Sequence, residues 1–388
     1  MRTLLFTDCV DLVGSACRPF EGTKKYISTG AVEIDHIVDA DIEIVDYDGK
    51  PSRANLEAID GDVLFAKMQG TKKTLMIDSS RANYIYSTGF CAVRAKEEVL
   101  TSRCLFHLLT SDTFLAQKDK NCSGATQKAI TNASLSKIVI KVPSIVEQDS
   151  IAEQLDTISG IIAKRYQELS ALDDLIKARF VEMFGDPVSN PMKWDTYHLE
   201  DCLLDIDNGR SFVCSDKPRE NNHPAVLKLS AATYGDYRPY ENKALLDESQ
   251  FVKAAEVHAG DLLFTRKNTP ELVGMAAYVW ETPPNLMMPD LIFRLVPNER
   301  MNAVFLWQLI NCKEFRPAIQ AVSGGSAKSM SNISKERLGK VSVFCPPKDL
   351  QDAFVPFIQQ IDKSKVAVQK ALDETQVLFD GLMQEYFG

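Results

Sequence analysis

The chain has 388 residues, of which 45% are hydrophobic and 25% charged, and its formal net charge is -9 at pH 7. This length allows two ordinary domains, each with a core of its own. Asp8 and Asp11 interrupt the apolar N-terminus, and no uncharged run approaches the ~20 residues of a membrane span, so we expect a cytoplasmic protein without a signal peptide or membrane contact.

The cysteines and histidines form no recognisable ligand pattern. The nine cysteines include no CxxC pair, and the five histidines are scattered without a matching spacing. This pattern argues against a zinc site or a disulfide framework, and it predicts reduced thiols that are mostly buried.

The first segment, residues 1–142, mixes short strands, turns and one helix. Apolar runs predict strands at residues 4–6, 42–45 and 63–66, and the leucine spacing predicts a helix at residues 101–114. A polar loop that contains glycine (NCSGATQKAITN, residues 121–132) and a strand at residues 137–143 follow. This combination is typical of an α+β globule of ordinary domain size.

The next stretch, residues 143–187, predicts one long helix. Ser144 with Glu147 indicates a capping box, and Gly185 followed by Pro187 supplies the stop. A helix of about 40 residues is roughly 60 Å long, and it needs a partner helix to cover its apolar face. The apolar positions, which step forward by threes and fours, are Ile151, Leu155, Ile158, Ile162, Tyr166, Leu169, Leu172, Ile176, Phe180 and Met183.

The second half of the chain repeats this order. In residues 188–345 we predict strands at 260–264 and 291–296, a helix at 302–315, a polar loop (AVSGGSAKSMSN) at 321–332 and a strand at 341–347. A second long helix is predicted for residues 346–388. It ends in Phe-Gly, as the first one does at residues 184–185.

An internal repeat relates the two halves. GDVLFAK at residues 61–67 matches GDLLFTR at residues 260–266, and a shift of 203 positions aligns the long helices, placing Gln148 on Gln351. A shift of 200 aligns Lys128 with Lys328, which assigns a three-residue insertion to residues 335–337. The chain is therefore interpreted as a tandem duplication of a variable segment followed by a long helix.

Connectivity predicts the arrangement of the copies. Because the ends of a compact domain usually lie close together, the second helix should run back along the first, with the globules at opposite ends. We therefore expect an α+β protein in which two globules are separated by two long antiparallel helices, a coiled coil, with a pseudo-twofold axis. Residues 143–187 hold four basic and nine acidic side chains, and residues 346–388 hold four and seven. Such acidic helices suit solvent or a basic protein partner better than phosphate.

The motifs occur in the same order in both halves of the chain. This repeated order resembles the specificity subunit of type I restriction-modification systems along the full length of the chain. The residues that carry the resemblance are the P-x-x-x-x-Q starts at 143–148 and 346–351, the Phe-Gly ends, the two GD strands and the two Ser-Gly loops. Lys365 and Gln369 interrupt the apolar stripe of the second helix, and Pro347 stands where the first copy has Ser144. These departures predict uneven pairing of the helices.

The resemblance implies a non-catalytic, DNA-reading subunit. It implies target-recognition domains at residues 1–142 and 188–345, each binding one half of an asymmetric bipartite site in double-stranded DNA, and conserved spacer helices at 143–187 and 346–388. The implied protein partners are two methyltransferase subunits and the restriction subunits of the same system. S-adenosylmethionine would be bound by the methyltransferase subunits, with no cofactor or metal in this chain.

Two loops in each copy are predicted to contact DNA. The alternative is that the loop after the GD strand is only a solvated basic turn and that the Ser-Gly loop is only an ordered connector. Arg and Lys can pair with guanine, Asn and Gln with adenine, and the remaining polar groups with phosphates. The loop after each GD strand contributes Lys67, Gln69, Thr71, Lys72 and Lys73 in one copy, and Arg266, Lys267, Asn268 and Thr269 in the other. The Ser-Gly loops contribute Thr126, Gln127 and Lys128, and Ser326, Lys328 and Ser329. A third loop interleaves aromatic and basic groups, for which we expect core or edge packing: Tyr234, Tyr237, Arg238 and Tyr240.

Other classes of function fit less well. SGGSAKS at residues 323–329 lacks the glycine that a phosphate loop has before its lysine, and Asp236 with Glu241 only mimics a nuclease triplet in a polar loop. Three alternatives stay open: an enzyme that acts on DNA alone, a scaffold that presents two domains to proteins, and the recognition chain of another bipartite-site system with fused cleavage and methylation activities.

Overall fold

The structure, a computed structural model, describes residues 1–125, 127–324 and 330–388. The chain divides into two compact units: unit 1 comprises Met1–Gln167 with Val368–Gly388, and unit 2 comprises Glu168–Ala367. Each unit therefore contains one globule and part of both long helices. In the described ranges, no helix is both long and apolar enough to cross a membrane.

Unit 1 mixes short strands and helices. Its strands are β1 (Arg2–Leu5), β2 (Val10–Val13), β3 (Lys24–Ile27), β4 (Val32–Glu33), β5 (His36–Ile37), β6 (Glu43–Val45), β7 (Ala54–Leu56), β8 (Val63–Ala66), β9 (Thr74–Met76), β10 (Ile85–Ser87), β11 (Phe90–Ala95) and β12 (Val139–Val142). Its helices are α1 (Phe6–Cys9), α2 (Ser102–Thr110), α3 (Asp112–Lys120), α4 (Asn132–Leu135) and the first part of α5 (Ile145–Phe184).

Two four-stranded sheets form the body of unit 1. One is antiparallel with the order β2-β11-β8-β9, and the other has the order β6-β3-β10-β7, in which β3 and β10 are parallel. β1 pairs with β12 immediately before α5. The largest core of this unit combines the first sheet with α2, the start of α5 and the end of the chain, and it includes Phe65, Leu105, Leu155 and Phe387.

Unit 2 has the same mixture of elements. Its strands are β13 (Thr196–His198), β14 (Leu203–Asn208), β15 (Ala225–Leu227), β16 (Asn242–Ala244), β17 (Leu262–Thr265), β18 (Lys267–Asn268), β19 (Ala276–Tyr278), β20 (Leu286–Met287), β21 (Ile292–Pro297), β22 (Ser331–Asn332) and β23 (Ser342–Phe344). Besides the end of α5, its helices are α6 (Ala303–Asn311), α7 (Arg316–Ala321), α8 (Lys335–Gly339) and the first part of α9 (Lys348–Phe387).

The sheets of unit 2 repeat those of unit 1. The order β14-β21-β17-β19 corresponds to β2-β11-β8-β9, and the parallel pair β15 and β20 corresponds to β3 and β10. The register agrees as well, since Leu262 pairs with Leu295 where Val63 pairs with Val93. The order and register of the main sheet, and the parallel strand pair, therefore agree with the predicted duplication.

Both long helices have 40 residues. In unit 1, Leu155 of α5 shares a core with Phe387 of α9, and in unit 2 the rings of Phe184 of α5 and Phe354 of α9 lie 5.2 Å apart. Of the ten predicted apolar positions of α5, only Tyr166 is exposed, at 59%. The helical spacing therefore identified the packed face correctly.

The second long helix is continuous although its sequence contains two features that could interrupt it, a lysine in the apolar stripe and a proline. Lys365, expected to interrupt the apolar stripe, forms an ion pair with Asp173 of α5 at 2.8 Å, and the buried positions continue at Val368 and Leu372. Pro356 lies inside α9 without ending it. Since proline has no N–H, the carbonyl four residues earlier loses its helical partner, but the helix continues because its packed face supports it.

The glutamine of the first P-x-x-x-x-Q motif attaches α5 to the globule of unit 1. Gln148 is fully buried. Its Oε1 accepts a hydrogen bond from the backbone N–H of Thr101, at the start of α2, at 2.8 Å. Its Nε2 donates to the carbonyls of Val99 and Pro143 at 2.8 and 3.1 Å.

Gln351 makes the same three hydrogen bonds in unit 2. Its Oε1 accepts from the backbone N–H of Asn302 at 2.8 Å, and its Nε2 donates to the carbonyls of Arg300 and Pro346 at 3.0 and 2.7 Å. The motif thus has a physical function, because one buried amide joins the start of each long helix to the segment before α2 or α6.

The sequence was less accurate at helix ends. The helix predicted at residues 101–114 is two helices, since α2 ends at Thr110 and the Oγ of Ser111 caps α3 by accepting from the N–H of Phe114 at 3.2 Å. Half of the capping box predicted for α5 is present, since the Glu147 carboxylate accepts from the N–H of Ser144 at 3.1 Å. The Ser144 hydroxyl donates to the same carboxylate at 2.6 Å, whereas the prediction was that it accepts from the N–H of Glu147.

Candidate nucleic-acid interface

The two loops predicted to contact DNA are neighbours in unit 1. We call residues 67–73 the GD loop and residues 121–132 the Ser-Gly loop. The N–H of Ile130 donates to the carbonyl of Lys67, and the N–H of Gln69 donates to the carbonyl of Lys128, both at 2.9 Å. Because the two loops are hydrogen-bonded, the side chains of Gln69 and Lys128, both exposed, belong to one surface.

Unit 2 repeats this pairing of loops. Its GD loop, residues 266–274, includes β18, which pairs with β22 in its Ser-Gly loop, residues 321–332. The N–H of Ile333 donates to the carbonyl of Arg266 at 2.8 Å, as Ile130 does to Lys67. Ser326 and Lys328, together with Thr126 and Ser329, lie outside the described residues.

This equivalence corrects the predicted position of the insertion. Ile130 and Ile333 are 203 positions apart, so the larger offset is already established before residue 335. Within the Ser-Gly loops, Ser123 forms a β-bridge with Ala129, and Gly324 forms the equivalent bridge with Asn332. Ser123 and Gly324 are 201 positions apart, whereas Ala129 and Asn332 are 203 apart. The extra residues therefore lie within the Ser-Gly loop of unit 2, and the predicted insertion at residues 335–337 is wrong, because matching identical lysines across a loop of unequal length misaligned the copies.

The predicted side chains of unit 1 differ in how freely they face solvent. Gln69, Lys72, Gln127 and Lys128 are exposed, and Lys67, Thr71 and Lys73 are half-buried. The ammonium of Lys72 lies 3.3 Å from the Asp112 carboxylate, a weak, exposed pair that DNA could replace. The ammonium of Lys73 donates to the carbonyl of Thr29 at 2.8 Å and therefore holds the loop in place.

In unit 2, Asn268 was predicted to pair with adenine, but its side chain forms hydrogen bonds within the protein instead. It is only 7% exposed, its Nδ2 donates to Oγ1 of Thr233 at 3.1 Å, and its Oδ1 accepts from the N–H of Thr269 at 2.9 Å. Arg266 is half-buried, with its guanidinium 4.9 Å from the ring centre of Phe293. Lys267 is half-buried and Thr269 is exposed.

A buried lysine lies beneath the GD loop of unit 1. Lys118, on α3, is 1% exposed. Its ammonium donates to the carbonyls of Thr71, Met68 and Ala66 at 2.7, 3.1 and 3.4 Å. Burial lowers the pKa of Lys118 from its ordinary value, while the neighbouring Asp119 carboxylate opposes that shift.

Arg316 occupies the corresponding place in unit 2. It starts α7, is 9% exposed, and donates to the carbonyls of Gly274 and Val273, each at 2.6 Å, and of Glu271 at 3.3 Å. Burial lowers its pKa, although a guanidinium keeps its charge. Gly274 has φ +77°, and a Cβ there would lie 2.4 Å from the Ile319 side chain, so only glycine allows this approach.

Sequence reasoning missed these two cations because they are far from the GD motif along the chain. The available signal was a cation on the packed side of a helix, since Lys118 follows the buried Phe114 by one helical turn. It also missed Arg337, which donates to the carbonyl of Asn332 at 3.2 Å beside the Ser-Gly loop of unit 2.

The acidic residues that mimic a nuclease site are paired with nearby donors. Asp236 accepts from Arg238 at 2.8 Å, and Glu241 accepts from Ser230 at 2.9 Å. Among the described residues, no group of three or more His, Cys, Asp or Glu side chains is arranged to hold a metal ion.

Comparisons with known proteins relate this chain to one family. Residues 15–171 match the family described as "Type I restriction modification DNA specificity domain". The chain is similar to the type I restriction enzyme EcoEI specificity subunit of Escherichia coli, with 29% identity over 202 residues that cover 50% of this chain and 34% of that subunit. It is similar to the EcoKI specificity subunit of Escherichia coli K12, with 24% identity over 314 residues that cover 76% of this chain and 66% of that one. The matches therefore span about a third and about two thirds of these relatives' own lengths.

Solved structures share the fold. The S subunit of a type I restriction-modification system from M. genitalium has a TM-score of 0.61 at 13% identity, covering 100% of this chain and 96% of that one. A chain from a structure described as the "complex assembly" and "conformational transition of the type I R-M system" has a TM-score of 0.52 at 19% identity, covering 99% and 97%. At these identities the likeness concerns the fold alone.

Proposed function

We propose that this chain is a specificity subunit of a type I restriction-modification system and that it recognises an asymmetric, two-part site in double-stranded DNA. Unit 1 binds one half of the site and unit 2 the other. The chain itself is non-catalytic in this proposal, and its partners carry out methylation and cleavage.

The observation that carries this proposal is the repeated pairing of a GD loop with a Ser-Gly loop. The backbone hydrogen bonds are the same in both units, whereas the side chains differ: Gln69 and Lys128 are exposed on one pair of loops, and Thr269 on the other. A common backbone with different side chains suits two readers of different sequences. The buried cations Lys118 and Arg316 add positive charge beneath each loop, which favours the approach of phosphate.

The long helices serve as the spacer in this proposal. A helix of 40 residues is roughly 60 Å long at ~1.5 Å per residue, enough to hold two readers more than one ~34 Å turn of DNA apart. We infer that α5 and α9 run antiparallel as a coiled coil and that their acidic outer faces bind two methyltransferase subunits. These subunits would supply S-adenosylmethionine, and the restriction subunits would join the same complex.

Binding of the complex to a mixed-sequence duplex at several salt concentrations tests the proposed interface. Because lysines that contact phosphates release counterions, log K should fall linearly with log salt by about 0.9 for each phosphate neutralised. The double variant Lys72→Ala with Lys128→Ala should bind more weakly and with a shallower slope.

The control is Lys363→Ala, an exposed lysine of α9, which should leave the slope unchanged. Affinity that does not depend on salt, or a double variant that matches the wild type, would rule out this surface as the DNA interface.

A further inference from the structure

The loop between β15 and β16 of unit 2, residues 228–241, lies against the GD loop of that unit. Thr233 in this loop is 4% exposed, and its Oγ1 accepts the hydrogen bond from Nδ2 of Asn268 at 3.1 Å. Trp307 of α6 supports the loop, since its Nε1 donates to the carbonyl of Gly235 at 2.8 Å. The loop is therefore an ordered neighbour of the candidate interface.

Two large aromatic side chains of this loop face solvent. Tyr234 is 56% exposed and Tyr240 is 67% exposed. Tyr237, between them, is half-buried and shares a hydrogen bond of 2.7 Å with Thr282, and burial raises the pKa of its hydroxyl to about 12. The expectation of core or edge packing is therefore correct for Tyr237 and wrong for Tyr234 and Tyr240.

Arg238, which is half-buried, completes the cluster. Its guanidinium lies 4.6 Å from the ring centre of Tyr234, and its Nε donates to Asp236 at 2.8 Å, so both groups are held in a fixed orientation. The other carboxylate of the loop, Glu241, lies 3.4 Å from the ammonium of Lys228. The negative charges of the loop are thus balanced by its own cations.

We propose that Tyr234, Arg238 and Tyr240 form a further contact with DNA in unit 2. This inference rests on the proposed function. The proposed partner is the DNA duplex because the cluster adjoins the GD loop. The Asn268 amide of that loop, which was expected to read a base, is hydrogen-bonded to Thr233 within the protein. Tyrosine hydroxyls and arginine donors commonly bind phosphate oxygens, which positions a duplex without reading its sequence. The cluster therefore supplies affinity and register rather than base preference.

The corresponding segment of unit 1 has different chemistry. Residues 28–42, between β3 and β6, carry the acidic side chains Glu33, Asp35, Asp39 and Asp41, and their exposed large hydrophobic side chain is Ile34, at 57%. An acidic segment of this kind does not favour phosphate. The contact is thus a property of unit 2, and its loss should weaken only the half-site that unit 2 binds.

Tyrosine nitration by tetranitromethane, followed by mass spectrometry, tests the contact directly. The full chain in complex with its methyltransferase subunits is treated with and without a bound duplex. The duplex should reduce nitration of Tyr234 and Tyr240 several-fold and leave Tyr166 on α5 as reactive as before. Equal nitration with and without bound DNA would overturn the inference. So would protection by the methyltransferase subunits alone, because the surface would then face a protein.

A pair of variants separates this inference from the proposed function. Tyr234→Ala with Tyr240→Ala should weaken binding about tenfold, a typical effect for aromatic contact residues, without changing the preferred bases. Leu204→Ala, at an exposed apolar position of unit 2 outside this loop, should bind as the wild type does. If the wild-type complex binds no DNA, the proposed function fails; if the double variant binds as tightly as wild type, only the tyrosine contact fails.

Discussion

At the scale of single residues, the most informative side chains are the buried cations. Lys118 and Arg316 differ in chemistry and lie on different local sequences, yet each donates to three backbone carbonyls in or next to the GD loop of its unit. A buried cation that donates to three carbonyls fixes the backbone around it, because releasing any one carbonyl would leave that carbonyl unpaired. The position of each GD loop therefore depends on a residue that does not reach the surface.

Replacing Arg316 by methionine should destabilise unit 2 by about 2–3 kcal/mol, because three buried carbonyls lose their donors. Arg316→Lys should recover part of this loss, since an ammonium serves the same purpose at Lys118. Urea unfolding measures both values. Lys313→Met, at an exposed cation three residues before α7, is the matched control and should change the free energy of unfolding by less than about 0.5 kcal/mol. Equal effects at positions 313 and 316 would contradict the account.

The buried His107 of unit 1 should make stability depend on pH. Its Nε2 lies 2.7 Å from the Asp156 carboxylate, which also binds Arg103, and Asp35 contributes a weaker charge. Burial lowers the pKa of His107 below its usual 6.5, against the opposing effect of Asp156. The unfolded chain therefore takes up a proton at higher pH than the folded protein does. The stability due to neutral His107 is present above pH 6.5 and is lost as pH falls below that value.

Urea unfolding at pH 7.5 and pH 5.5 measures this loss. His107→Gln should lose less stability than the wild type over that interval, since it has no imidazole to protonate. His36→Gln, at an exposed position, should behave as the wild type. An unchanged pH dependence in His107→Gln would show that other groups are responsible.

At the scale of elements, the attachment of each long helix depends on one glutamine. Gln148 and Gln351 are both fully buried and make equivalent sets of hydrogen bonds, so the motif that aligned the two halves of the sequence marks the joint between helix and globule. The helical period predicted both helices and the packed face of α5, but it did not reveal the role of the proline-to-glutamine spacing that both halves of the chain share.

Gln351→Leu should cost about 2–3 kcal/mol and loosen the joint in unit 2, because the N–H of Asn302 and two carbonyls lose their partner. Hydrogen exchange should accelerate at the starts of α6 and α9 while the Gln148 joint in unit 1 keeps its protection. Gln359→Leu, on the exposed side of α9, is the control. Exchange that is unchanged in Gln351→Leu, or equally fast in both units, would contradict this role.

The sequence predicted elements better than side-chain roles, and the reason is physical. Periodicity reports burial along one element, so the long helices, the GD strands and the duplication were predictable. Residue type reports what a side chain can bind and not whether it is free to bind it: Asn268 suits adenine chemically but is used by Thr233. Contacts such as Lys118 with Thr71 join residues 47 positions apart, and no local pattern encodes them.

At the scale of the whole molecule, the account depends on two independent readers held by a spacer of defined length. Inserting seven residues after Gln167 and seven after Ala367 should lengthen both helices by roughly 10 Å and keep their register. The gap between the half-sites should then grow by about three base pairs, at ~3.4 Å each. Insertion into one helix alone, the control, should abolish modification, because the two helices would no longer match. An unchanged gap in the double insertion would exclude the helices as the spacer.

The most direct test of two independent readers is a genome-wide map of modified adenines in cells that carry the complete system. With the wild-type chain, the account predicts one asymmetric site in two parts with a fixed gap. With Arg266→Ala and Lys267→Ala in unit 2, one half of the site should become degenerate while the other half and the gap stay as they were. Equal loss of preference in both halves, or a single continuous site in the wild type, would contradict it.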